Sequence, residues 1–336
     1  MLFLILGAGL MGIIESESAT PRVTVLIPCN STDFLAECLD SVACQDYPNI
    51  DVLVVLNGKA IHERTALSEE FNEYPRNLKF VLSEKVGIVS ALNLGLELSS
   101  NEFIARIDAD DVMPFKRITL QIAEFSHDSE IVCIGGQLEY VAAKPEQEHP
   151  GYPLTDEAFR HALYRFSPLP HPGVMYKKSA VVLAGMYREK FPYIEDWDLW
   201  TRLAEQGKIF NLPETTVYYR IHSNQSTILH TAIQQKSIRS LSSQVLKQAL
   251  KASGQQCPRD SDFLDPQSIA IFPQPALIEK KQRKGNGFFG QKEKRRALAG
   301  YLYVRMMSSN SSQAQLLLLR IVISLIDPVL LIRKLF

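Results

Sequence analysis

Three carboxylates in four positions, Asp108, Asp110 and Asp111, follow directly on the short apolar run Phe103-Ile104-Ala105-Arg106-Ile107. Acids this close repel one another unless a cation or a hydrogen-bond donor sits among them. Hard divalent cations such as Mg²⁺ and Mn²⁺ take carboxylate oxygens and commonly share them with the oxygens of a bound phosphate. The plain alternative is a solvated acidic turn. A second acidic stretch, Tyr193-Ile194-Glu195-Asp196-Trp197-Asp198-Leu199-Trp200, opens a helix-patterned segment. Acids there are also favoured by capping and by the helix dipole, so this stretch has a purely structural reading too. His222, after the run Val217–Ile221, becomes interesting only if it faces these acids.

Elements with regular patterning must bring these groups together. Val23–Ile27 reads as a strand ended by Pro28, since proline cannot continue an interior ladder. Asp33 is the expected cap of a helix that lays Phe34, Leu35, Cys38, Leu39 and Val42 on one face. The continuous apolar run Val52–Leu56 suits a parallel strand covered on both sides, with Asn57-Gly58 as its turn. A polar helix to about Tyr74, a strand at Leu78–Leu82, a helix at Ile88–Leu98 and the strand Phe103–Ile107 complete a βαβαβαβ alternation. That order predicts an α/β class chain with a doubly wound, mostly parallel, Rossmann-like sheet. Ligands of such sheets bind outside the carboxyl ends of the strands. Asn30, Asn57 and the 108–111 acids all fall at those ends and are expected to converge.

Farther on, Pro114 starts a helix with Ile118, Ile122 and Phe125 inward, and Ile131–Tyr140 is a strand interrupted by a bulge at Gly135-Gly136. Short strands follow at Val174–Tyr176 and Val217–Ile221, then helical spacing to about Ala252. Residues 255–275 read as a linker. Lys280–Arg296 holds eight basic residues against one acid, and the chain ends in apolar runs broken by Arg320 and Asp327. These last runs fit either an interfacial amphipathic helix beside anionic lipid or a helix packed on protein.

The whole chain has 336 residues, 46% hydrophobic and 22% charged, with a net charge of −1. It is an ordinary globular composition with no general attraction for nucleic acid. Its five cysteines show no paired or zinc-like spacing, so reduced thiols in the cytoplasm are expected. Gly7-Ala8-Gly9-Leu10-Met11-Gly12 matches a dinucleotide-binding pattern, but Pro21 leaves no room for the helix that such a site needs. Residues 1–20 read either as an apolar leader of uncertain role or as an over-extended start.

Val23–Asn30, Val52–Gly58, Gly87–Gly95, Ala105–Asp111 and Glu195-Asp196, in this order, resemble the family 2 glycosyltransferases, inverting enzymes of the GT-A fold. His171-Pro172, Glu195–Trp200 and Tyr219-Arg220-Ile221-His222 further resemble bacterial members that build surface polysaccharides. The resemblance spans residues 21–228 and makes 229–336 a helical C-terminal extension. It implies a nucleotide-sugar donor, UDP-linked, a glycan or lipid-linked saccharide acceptor, and Mn²⁺ or Mg²⁺ as cofactor. It also implies site roles: Asp110 and His222 at the metal, Asp108 near the ribose or a metal-bound water, Pro28 and Asn30 along the nucleotide, Asp196 as general base and Glu195 beside it. Asn57 departs from the pattern, since many relatives carry a base-recognising acid there, and this leaves the donor base open. Peripheral contact with the inner face of the cytoplasmic membrane is the corresponding expectation for residues 280–336.

Two other readings remain at this point. A sugar nucleotidyltransferase uses a similar sheet but expects a glycine-rich basic loop after the first strand, where this chain has Cys29-Asn30-Ser31-Thr32-Asp33. A non-catalytic sugar-nucleotide-binding relative would have less reason to keep Asp108, Asp110 and Asp196. An EF-hand starting at Asp108 is excluded, because its glycine and closing acid would fall on Met113 and Thr119.

Overall fold

The computed structural model describes residues 20–141, 151–163, 166–222 and 230–252. The glycine pattern at 7–12, the linker and the basic and apolar segments of 280–336 lie outside the described residues. Strands β1 (Val23–Cys29), β2 (Ile50–Leu56), β3 (Asn77–Leu82) and β4 (Phe103–Arg106) are parallel and ordered β3-β2-β1-β4. The strand order turns at β1, so the crevice between β1 and β4 is where a doubly wound sheet binds ligands. Beyond β4 the sheet continues with β6 (Met175–Lys177), antiparallel to both neighbours, then β5 (Ile131–Tyr140) and β7 (Lys208–Tyr219). The antiparallel β6 restores the direction of β5 and β7, and so the carboxyl ends of β4 and β7 share one edge.

Alternating side chains of the inner strands build two apolar layers. Val25 and Ile27 meet α1 (Leu35–Ala43), α2 (Arg64–Glu70) and α4 (Arg117–His127), through Leu39, Leu67 and Ile122 among others. Leu26, Leu53 and Val55 meet α3 (Ile88–Leu98), α5 (Asp156–Ala162), α6 (Lys178–Leu183), α7 (Glu195–Leu203) and α8 (Thr231–Ala252). Trp197 and Trp200 of α7 are both essentially fully buried. Truncating either to alanine is expected to cost roughly 3–5 kcal/mol, which ties the position of α7 to the core. Leu241 and Val245 of α8 join the same layer, so the described part of the C-terminal extension packs on the sheet domain.

Four local expectations are corrected. Pro28 lies inside β1 rather than ending it. Asn57 N–H donates to the Cys29 carbonyl and Ile107 N–H to the Leu26 carbonyl, so alternate residues of β1 serve β2 and β4. Pro28 falls on the β4 side, past the last paired residue Leu26, and its missing N–H breaks no rung. Asp33 does not cap α1. Phe34 occupies the cap position without a side-chain cap, and Asp33 instead accepts from Ser31 Oγ at 2.8 Å. Phe34 stays half-buried and turns to Arg220. The last strand begins at Lys208, not Val217. Gly135 pairs with Asn211 and Gln137 with Thr215, so β7 carries two extra residues opposite Gly136 where it passes Pro213. A Cβ on Gly136 would lie 2.2 Å from Thr216 Cγ2, so glycine lets β5 sit against the bulged β7.

Candidate active site

Residues 107–112 leave the buried end of β4 as a tight turn, closed by the Asp111 N–H to Asp108 carbonyl bond of 3.2 Å. The carboxylates of Asp108, Asp110 and Asp111 all come within 4.8 Å of one another. Each is held differently. Asp108 receives both terminal nitrogens of Arg106, one of them at 2.8 Å. Arg106 and Asp108 are two residues apart at the end of an extended strand, which puts both side chains on one face. Asp110 meets His222 Nε2 at 2.7 Å through Oδ2. Asp111 is buried and accepts the Arg220 N–H at 2.9 Å through Oδ1.

The tail of β7 supplies Arg220 and His222 because it is laced to the acidic turn. Val112 and Tyr218 exchange N–H···O=C bonds of 3.1 and 3.0 Å. Arg220 then donates from Nε to the Asp110 carbonyl at 3.0 Å and from Nη2 to Glu37 at 2.5 Å. Its guanidinium lies 4.5 Å from the Phe34 ring centre, and that ring stands 5.5 Å from His222. The structure therefore brings His222 to Asp110, the condition on which its interest depended.

The acids perturb one another. Burial pushes the Asp108 carboxyl up to about 6; Arg106 opposes this, and the Asp110 and Asp196 charges add to it. Burial and the two neighbouring carboxylates hold Asp111 well above the usual carboxylate range. Its Oδ2 is buried with no hydrogen-bond partner among the described residues. A crowded all-oxygen donor set, one atom of which lacks a partner, fits a hard divalent cation.

The second acidic stretch forms the first turn of α7 at the same edge. Glu195 is buried, and burial followed by the Asp196 charge lifts its carboxyl to about 7. Asp196 is half-buried and accepts from Ser167 Oγ at 2.9 Å. Burial raises its carboxyl, while Ser167 and first-turn N–H groups pull it back. The favourable helix-end placement thus coexists with a place at the site. Asp198 has another task. It is fully buried and paired with Arg188 (2.5 and 2.9 Å) and Arg202 (2.8 and 3.2 Å). Arg202 also donates to the carbonyls of Ala184 and Met186, which fastens the loop after α6 to α7.

The residues expected beside a nucleotide are more scattered in character. Pro28 is buried in β1, and Asn30 is exposed just beyond it. Asn57 is buried, and its amide is engaged at both ends: Nδ2 donates to the Lys85 carbonyl at 2.9 Å, and Oδ1 accepts the Gly87 N–H at 2.8 Å. Asn57 thereby pins the turn that leads into α3, where Gly87 holds φ +131°, a conformation that favours glycine.

Several supporting residues carried little signal of their own. Arg106 was readable as a charge inside an apolar strand two residues before an acid. Arg117 gave no such cue, yet it is 1% exposed and donates to the carbonyls of Pro172, Arg106 and Val174 at 2.7–2.8 Å. It fixes the end of β4 against the approach to β6. His171 Nε2 meets the Tyr187 hydroxyl at 3.0 Å, and burial together with the nearby Arg106 charge keeps the imidazole neutral.

Comparison with known proteins accords with this geometry. Residues 24–183 match the model of Glycosyl transferase family 2. A glycosyltransferase of Haemophilus influenzae, itself uncharacterized, is 25% identical over 239 residues, covering 66% of this chain and 72% of its own. The UDP-Gal:alpha-D-GlcNAc-diphosphoundecaprenol beta-1,3-galactosyltransferase of Escherichia coli is 24% identical over 193 residues, 56% of this chain and 70% of its own. Among solved structures, S. aureus TarS 1-349 in complex with UDP-GlcNAc superposes with a TM-score of 0.55 at 15% identity, over 84% of this chain and 81% of that one. Residues 24–183 are thus similar in sequence to family 2 glycosyltransferases, and the chain shares its fold with S. aureus TarS 1-349.

Proposed function

We propose that this protein is an inverting glycosyltransferase that moves a sugar from a UDP-linked donor to a hydroxyl of a glycan or lipid-linked saccharide. The observation that carries the reading is the meeting of two acidic groups, distant in sequence, at one sheet edge. Asp196 from α7 acts electrostatically on Asp108 from the β4 turn. Asp196 takes the proton of the acceptor hydroxyl as that oxygen forms its bond to the anomeric carbon. The bond from that carbon to the nucleoside diphosphate breaks on the opposite face, and the diphosphate leaves with the electron pair. Glu195 supports Asp196 from the preceding position.

Asp110 and His222, already in contact, would hold Mn²⁺ or Mg²⁺, with Asp108 and Asp111 beside them. When bound, the cation supplies charge neutralisation for the departing diphosphate. Pro28 and Asn30 flank the nucleotide at the end of β1, and Asn57 acts through the 85–87 turn. A saccharide-diphospholipid acceptor is suggested by the printed activity of the Escherichia coli relative. Among the described residues no helix is long and apolar enough to cross a membrane. We assign lipid contact at a membrane surface to residues 280–336 on the basis of their basic and apolar composition.

The test is a thermal-shift panel of nucleotide sugars with and without Mn²⁺, followed by product analysis. A UDP-sugar is expected to raise the melting temperature only with the metal, by mass action. The product is expected to carry the anomeric configuration opposite to the donor's. No stabilisation by any nucleotide sugar, or retention of configuration, overturns the reading.

A further inference from the structure

Ser167 lies in the stretch between α5 and β6, far in sequence from α7. Its surroundings hold it in place. Leu169 is 2% exposed, and the Pro168 carbonyl accepts from the buried Asn211 side chain at 2.9 Å. The Pro170 carbonyl accepts the Gly173 N–H at 2.8 Å. From this anchored backbone Ser167 Oγ donates to Asp196 Oδ2 at 2.9 Å. The other hydrogen bonds that stabilise the Asp196 carboxylate come from the N–H groups of Asp196 and Trp197 on its own helix turn. Among the described residues, Ser167 is thus the hydrogen-bond donor that reaches Asp196 from outside α7.

We infer that Ser167 is a positioning residue for Asp196, its hydroxyl fixing the orientation of the carboxylate that receives the acceptor proton. The inference rests on the reading of Asp196 as the general base. A serine hydroxyl serves this purpose where a lysine or arginine would not. It donates one directed hydrogen bond without adding a positive charge that would weaken the carboxylate as a proton acceptor. The charged and titratable groups around Asp196 are Glu195 on α7, Arg106 and Asp108 at the end of β4, Tyr152 before α5, and Tyr187 after α6. Arg106 is the cation of this group, and it is committed to Asp108.

Because the hydroxyl donates to the ionised form, its removal must make Asp196 harder to deprotonate. The test measures initial rates against pH for full-length wild type, Ser167→Ala, Ser167→Thr and Asp196→Asn. Ser167→Ala is expected to lower kcat roughly 10- to 100-fold, the range for a hydrogen bond to a charged group. Its donor KM should stay within about twofold, and the acidic limb of its pH profile should move to higher pH. Ser167→Thr, which keeps the hydroxyl, should recover most of the rate. An alanine variant with wild-type kcat, or one with lowered kcat and an unmoved acidic limb, overturns the inference. Should the alanine variant fail to fold, Ser167→Cys, nearly isosteric and a weak donor, is held to the same outcomes. Full turnover by Asp196→Asn would instead overturn the general-base reading, so the two failures are separable.

Discussion

At the 108–111 turn each carboxylate meets a cationic side chain, an imidazole or a backbone donor: Arg106 for Asp108, His222 for Asp110 and the Arg220 N–H for Asp111. At the head of α7, Asp196 meets a neutral hydroxyl and N–H groups of its own turn. Two residues later the same helix buries Asp198 between two arginines. Arginines of α7 and of the segment before it, Arg202 and Arg188, thus pair with Asp198 and not with Asp196. Burial lifts carboxyls at both stretches, so the difference lies in their partners: cationic, imidazole or loop N–H donors suit acids grouped around a metal, and a neutral hydroxyl leaves Asp196 able to take up a proton. The contrast agrees with the proposed division, leaving-group chemistry at one stretch and acceptor chemistry at the other.

The strongest way to break that division is Asp196→Asn. Loss of a general base is expected to lower kcat by about 10²- to 10⁴-fold, with metal-dependent UDP binding within a few-fold of wild type. Equal losses in turnover and nucleotide binding would place Asp196 on the donor side. Asp110→Ala should do the reverse at smaller amplitude. Metal-dependent nucleotide affinity, read by calorimetry, should fall roughly 10- to 100-fold, the range for disturbing a metal site through one group. EDTA should bring the wild type to the same level. If EDTA leaves wild-type nucleotide affinity unchanged, the metal assignment fails and the 108–111 turn must hold the donor by hydrogen bonds alone.

The parts of this division that rest on local pattern were legible in the sequence. The βαβ alternation gave β1 to β4, and the abrupt change from Ile107 to Asp108 marked the edge that carries the site. The direction of β6 was not legible, because Val174–Tyr176 reads the same whether it runs parallel or antiparallel. The start of β7 was hidden because Pro213 and Glu214 break the strand pattern, and they are accommodated as a bulge of β7 opposite Gly136. Asn57 reads from sequence as a nucleotide contact at a strand end, but both ends of its amide are committed to the 85–87 turn. Ser167 and Arg117 carried no signal, since their value depends on carbonyls and carboxylates brought near only by the folded chain.

Glu195 sharpens the comparison through stability rather than turnover. Burial, and then the Asp196 charge, raise its carboxyl from 4.5 to about 7. Between those values the folded chain holds a proton that the unfolded chain has released. The resulting stabilisation is fully present below about 4.5 and is lost as pH rises through about 7. Glu195→Gln, which cannot ionise, lacks this dependence. Its stability relative to wild type is therefore expected to rise by about 2 kcal/mol between pH 5.5 and pH 8.5, measured by urea unfolding without metal or donor. Asp198→Asn should behave oppositely and be destabilised at both values, because it weakens the partner of two arginines in a buried cluster. A flat difference for Glu195→Gln across that range would mean that Glu195 is already ionised in the folded chain. The head of α7 would then hold two adjacent anions, and Glu195 would no longer support its assignment to proton uptake.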